Sequence, residues 1–140
     1  MEVLPHTETI EDSIALVRNR RSDFDFFFVH MKGTDSTGED GDFDAKVGAI
    51  EKADGVLSAL RPMAPDVCLV TGDHSTPAAL KSHSWHPVPA LLWSNTCRPD
   101  RAVSFGESSC LAGALGPRFP ATDLLPLALA HARRLTKYGA

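Results

Sequence analysis

Two groups of side chains with ligand chemistry stand out in the 140-residue sequence. The first is the glycine- and acid-rich run MKGTDSTGEDGD, from Met31 to Asp42, which carries Asp35, Glu39, Asp40 and Asp42. Asp35 and Glu39 are four positions apart, so a single helical turn would place both carboxylates on one face. The run is not a calcium-binding EF-hand loop, because Gly38 and Gly41 are misplaced and no glutamate closes a twelve-residue loop. The second group begins at Asp73-His74, directly after the apolar run Val67 to Thr71, and continues to His83 and His86. One carboxylate oxygen with two or three imidazoles suits Zn²⁺, Mn²⁺ or a similar divalent ion. Serine-hydrolase chemistry fits less well, since no G-x-S-x-G elbow occurs, and neither a Walker loop nor a GxGxxG fingerprint is present.

These residues need a frame, and the spacing of apolar residues supplies one. Residues 7–21 open with threonines and acids and close with three arginines, with Ile10, Ile14 and Val17 on one face, which predicts a helix. The aromatic run FDFFFVH, residues 24–30, predicts a buried parallel strand. Residues 31–42 then read as a loop, and residues 43–61 as a helix ended by Arg61-Pro62. Strands are expected at Val67 to Thr71 and at Val88 to Ser94, joined by a polar segment. A connector from Asn95 to Ser104, a short helix at Ser108 to Leu115 and a terminal helix from Thr122 to Tyr138 complete the order, with Pro126 in the last helix's first turn. That order predicts an α/β fold with a mainly parallel sheet sandwiched by helices. In such sheets ligands sit beyond the carboxyl ends of strands, which is where both polar groups fall.

Composition excludes several classes. Lys and Arg number 14 against 18 Asp and Glu, a net charge of −4, which argues against a nucleic-acid partner. No apolar run approaches the ~20 residues that span a bilayer, so no membrane partner is expected. The amino-terminal residues lack the basic and apolar regions of a secretory signal. Cys68, Cys97 and Cys110 show no CxxC spacing and read as reduced thiols, which fits a cytoplasmic location.

Three segments carry a resemblance: FVHMKGTDSTGEDGDFDAKVGAIEKAD, VTGDHSTPAALKSHSWHPVPALLW and FGESSCLAGALG. In order and spacing they are similar to the carboxyl-terminal part of the 2,3-bisphosphoglycerate-independent phosphoglycerate mutases. The archaeal-type group of the alkaline phosphatase superfamily is the nearest version. The resemblance runs from about Thr9 to the end of the chain. It implies an alkaline-phosphatase-like fold, of which residues 1–140 form the carboxyl-terminal part of one metalloenzyme domain.

It also implies two divalent metal ions, Mn²⁺ first, with Mg²⁺ or Zn²⁺ as alternatives. By resemblance, one ion is held at the positions of Asp35, Glu39 and His83. The other is held at Asp73 and His74, together with an aspartate and a nucleophilic serine from the family's amino-terminal segment. That serine would carry the phosphoryl group between the hydroxyls of 3- and 2-phosphoglycerate. His30 and Lys32 are implied phosphate contacts. The sequence departs from the family twice: Glu39 stands where the family has histidine, and nothing here matches the serine-bearing segment or the inserted substrate domain. No catalytic nucleophile is therefore expected in this chain, and Ser75 is not that serine. The alternatives are a related metal-dependent phosphatase or phosphotransferase, or a half-domain without activity. Missing strands would leave an exposed sheet edge, with self-association through it expected.

Overall fold

The computed structural model describes residues 1–135, and it places them in two units. The first comprises Met1–Ala64 with Thr76–His83, and the second Pro65–Ser75 with the residues from Ser84 onward. The tail of the expected terminal helix, residues 136–138, lies outside the described residues.

In the first unit, helix α1 (Ile10–Asn19) starts where the Thr9 hydroxyl accepts a hydrogen bond from the Asp12 amide at 3.1 Å. Its apolar stripe buries Ile14 against Val56 and Met63, with Ile10, Val17, Val29, Ala59 and Leu60 packed around them. Val56 belongs to α3 (Phe43–Leu57), which Asp42 caps by accepting from the Ala45 amide at 2.9 Å. The expected helix to residue 61 thus stops at Leu57, and Arg61–Met63 form a separate 3-10 turn begun by Pro62.

Two expectations change here. Residues 31–42 are not a loop throughout, because Gly33–Asp40 form helix α2, closed by Gly41 in the left-handed conformation at φ 74°. Three-dimensional packing overrides the poor helix propensity of this glycine-rich run. Lys46 of α3 donates from Nζ to the Thr34 carbonyl at 2.6 Å, and Gly38 packs directly beneath the Thr76 backbone. Conversely, residues 24–30 form no strand. Phe24 and Phe27 meet edge to face at 5.7 Å, while Phe28 remains 73% exposed. An apolar run becomes a strand only when a neighbouring strand takes its backbone hydrogen bonds.

The second unit contains the two strands found among the described residues, β1 (Val67–Thr71) and β2 (Ala90–Ser94). They pair antiparallel, from Val67 opposite Ser94 to Thr71 opposite Ala90. The expected mainly parallel sheet is therefore not what these strands form. A parallel pair needs a crossover, usually helical, and no helix lies between β1 and β2. Beyond β1 the chain is pinned by a bridge in which the Ser84 amide donates to the Ser75 carbonyl at 2.8 Å. The Ser75 hydroxyl also donates to the His86 carbonyl at 3.1 Å. Helices α4 (Glu107–Cys110) and α5 (Leu124–His131) follow, both shorter than expected. Pro126 lies in the first turn of α5, as anticipated, where its missing N–H costs no helical bond.

Candidate metal centre

In the first unit, α2 does what the four-residue spacing of Asp35 and Glu39 requires. It presents both carboxylates to His83, whose Nε2 lies 3.7 Å from Asp35 Oδ1 and 3.5 Å from Glu39 Oε1. Asp35 is the anchored member, with its side chain only 13% exposed against 55% for His83. The Thr76 hydroxyl donates to Asp35 Oδ1 at 2.5 Å, and Lys32 pairs with the other carboxylate oxygen. Thr76 is itself 4% exposed, so this hydrogen bond is shielded and fixes the carboxylate orientation.

An imidazole nitrogen facing two carboxylate oxygens is an arrangement that a divalent cation among them would satisfy. Two oxygens and one nitrogen make a donor set suited to Mn²⁺, Mg²⁺ or Zn²⁺. The residues present therefore fit a divalent ion.

In the second unit, Asp73 and His74 follow β1 after the single residue Gly72, just beyond its end as the sequence implies. Asp73 Oδ1 accepts from the His74 amide at 3.0 Å, and Oδ2 lies 3.5 Å from His74 Nε2. One carboxylate and one imidazole make half a tetrahedral donor set. His86 is engaged differently: its Nδ1 lies 2.8 Å from the Ser84 hydroxyl and its ring stacks on Trp85.

Of the two phosphate-contact candidates, Lys32 is joined to Asp35, whereas His30 is stacked on Phe28 and lines a cavity of about 460 Å³ in the first unit. Thr76 lies inside the GDHSTP motif, yet nothing in its type or spacing marks it as a partner of Asp35. Its hydroxyl reaches a residue 41 positions earlier, a pairing that only the folded chain reveals.

A model of the metalloenzyme superfamily matches residues 3–130. The chain belongs to that superfamily. Among its relatives is a protein of Thermotoga neapolitana named as a probable 2,3-bisphosphoglycerate-independent phosphoglycerate mutase, 50% identical over all 140 residues of this chain and 35% of that protein. A Deinococcus radiodurans protein of the same name is also 50% identical, again over 100% of this chain and 35% of its own length. The solved PH0037 protein of Pyrococcus horikoshii superposes with a TM-score of 0.84 at 34% identity, covering 91% of this chain and 39% of that one. The resemblance carried by the KGTD and GDHSTP motifs thus extends over the whole chain, which spans about a third of the length of these curated relatives. Among the described residues of this superfamily member, no helix is long and apolar enough to cross a membrane.

Proposed function

We propose that this chain is the carboxyl-terminal, metal-binding part of a cytoplasmic 2,3-bisphosphoglycerate-independent phosphoglycerate mutase. The whole protein interconverts 3- and 2-phosphoglycerate through a phosphoserine. The observation that carries this reading is the convergence of Asp35, Glu39 and His83 in a metalloenzyme chain half-identical to proteins of that name.

Asp35 and Glu39 offer oxygens, and His83 offers Nε2, to one divalent ion. Asp73 and His74 offer one oxygen and one nitrogen to the other. When bound, two such ions supply positive charge that neutralises a phosphate and makes a serine hydroxyl easier to deprotonate. Thr76 keeps Asp35 turned toward His83, and the exposed ammonium of Lys32 provides a cation for phosphate oxygens. Glu39, where the family has histidine, adds negative charge and favours oxygen-preferring Mn²⁺ or Mg²⁺ over Zn²⁺. In this reading residues 1–140 belong to one alkaline-phosphatase-like domain. The β1–β2 pair is then part of a larger, mainly parallel sheet completed by the remaining length of the relatives.

Phosphoglycerate interconversion by the longer protein carrying this chain, assayed with Mn²⁺, tests the reading. Turnover lost with a chelator and with Asp35→Asn is expected; no turnover with metal bound would sink it. Release of inorganic phosphate instead of isomerisation would favour a phosphatase. The 140 residues alone should bind Mn²⁺ and not turn over, because they hold no counterpart of the nucleophilic serine. Calorimetric titration of wild type and His83→Ala should differ, and identical isotherms would remove His83 from the site.

A further inference from the structure

The second unit contains a cluster that the metal chemistry does not use. Strand β2 ends at the buried Ser94, and the chain turns back so that the Cys97 amide donates to the Ser94 carbonyl at 3.1 Å. This turn sets Cys97 Sγ 3.8 Å from both ring nitrogens of His131, the last residue of α5. The ring is also held by Thr96. Thr96 Oγ1 lies 2.7 Å from Nδ1, and Ser94 Oγ lies 3.1 Å from Thr96 Oγ1 and accepts from the Thr96 amide at 3.3 Å.

The thiol is equally close to both nitrogens. With Nδ1–H donating to Thr96 Oγ1, it is Nε2 that keeps the lone pair able to take the thiol proton. The thiol also donates to the Leu92 carbonyl at 3.7 Å, but a carbonyl cannot remove a proton and an imidazole can. The carboxyl end of a helix also stabilises the positive charge that His131 would acquire. Thr96 and Arg98 on either side are exposed and Cys97 is half-buried, so a small reagent has an approach.

The other two cysteines lack this arrangement. Burial pushes the Cys68 thiol up, and Cys110 Sγ is directed at the Ala90 carbonyl at 3.9 Å. Only the thiolate attacks a disulfide, so a neighbouring base separates a reactive cysteine from inert ones.

We propose that Cys97 is a thiol-modification site that exchanges with low-molecular-weight disulfides, with His131 as the proton acceptor. Cys97 Sγ forms a bond to one sulfur of the incoming disulfide, and that disulfide's S–S bond breaks. The second half leaves as a thiolate, and the Cys97 proton passes to His131 Nε2 and from there to the leaving thiolate. Cys97 is oxidised to a mixed disulfide and the departing half is reduced to a thiol, so the disulfide itself is the oxidant.

The test is a time course of the 140-residue chain with oxidised glutathione in chelator, with each cysteine followed by mass-spectrometric peptide mapping. Cys97 should acquire the glutathione adduct about tenfold faster than Cys68 or Cys110. His131→Asn should slow Cys97 severalfold while leaving Cys68 and Cys110 at their wild-type rates. Equal rates at all three cysteines in wild type, or an unchanged Cys97 rate in His131→Asn, would overturn the proposal. If circular dichroism shows that His131→Asn does not fold, Thr96→Val decides. Its exposed position leaves the fold intact, and slower Cys97 modification supports the relay whereas an unchanged rate refutes it.

Discussion

Asp35 is engaged by a hydroxyl from Thr76, an ammonium from Lys32 and an imidazole from His83. Of these, the Thr76 hydrogen bond acts on orientation, because its donor is buried and cannot swing away. Orienting hydrogen bonds behind a metal ligand are worth about 10–100-fold in affinity, so Thr76→Val should weaken Mn²⁺ binding by that factor. Calorimetric titration of the variant checks this, and an unchanged affinity would show that Asp35 keeps its direction without the hydroxyl. In the second unit, the hydrogen bonds of Asp100 make stability depend on pH. Asp100 accepts from the Ala114 amide at 2.8 Å and from the Ala102 amide at 2.9 Å, which together hold its carboxyl below the usual carboxylate range. A depressed folded pKa contributes stability that is present above the unfolded value, about 3.9, and is lost as pH falls through the folded value. Asp100→Asn should therefore be less stable than wild type at pH 7, with the gap closing in acid. Urea unfolding of both proteins across that range measures it, and a gap that persists below the folded pKa would contradict the assignment.

The carboxylate-bearing face of α2 depends on how closely the helix can approach the segment carrying Thr76. Gly38 makes that approach: a Cβ there would run into the Thr76 carbonyl and come within 3.0 Å of both Thr76 Cγ2 and Lys46 Nζ. The carbonyl is backbone and cannot yield, so Gly38→Ala should cost about 1–3 kcal/mol as an overpacking change. Gly48 in the interior of α3 has nothing within 4 Å of its Cβ position, and Gly48→Ala should stabilise by about 0.5–1 kcal/mol through helix propensity. Denaturant unfolding of the two variants should move the midpoint in opposite directions, and a shift of the same sign would undo the packing argument. This pair also explains what could be read in advance. The carboxylate pair was legible because four-residue spacing holds for any helical turn, even though the run as a whole reads as a loop. The helix itself was not legible, because its glycines are unfavourable until Thr76 and Lys46 arrive from 42 and 12 positions beyond Thr34. Strands β1 and β2 were legible from their apolar composition, but their direction depends on the connection between them and not on either strand's residues.

Across the described chain, burial is thin for a sequence with 43% hydrophobic residues. The buried hydrophobic residues are Ile14, Val56, Met63, Ala78 and Leu124, whereas Phe28, Phe43 and Trp85 are exposed at 73%, 69% and 83%. Apolar exposure of this kind, found in each unit, marks surface that another surface covers. The composition, which alone argued for a well-packed core, is better explained by the chain spanning 35% of its curated relatives' length. The aromatic run at residues 24–30 belongs to the same account, since its residues have strand chemistry without a pairing neighbour. In the second unit, β1 and β2 form a two-stranded sheet among the described residues, so each presents an outer edge without a neighbouring strand there. The 140-residue chain should therefore self-associate, with a weight-average mass in sedimentation velocity that rises with concentration. Charged replacements at two exposed aromatics, Phe28→Lys and Trp85→Lys, should reduce that rise without unfolding the chain, because neither side chain contributes to the buried cluster around Ile14. A strictly monomeric profile at high concentration would mean that the exposed apolar residues are tolerated by solvent and that the sheet edges do not pair.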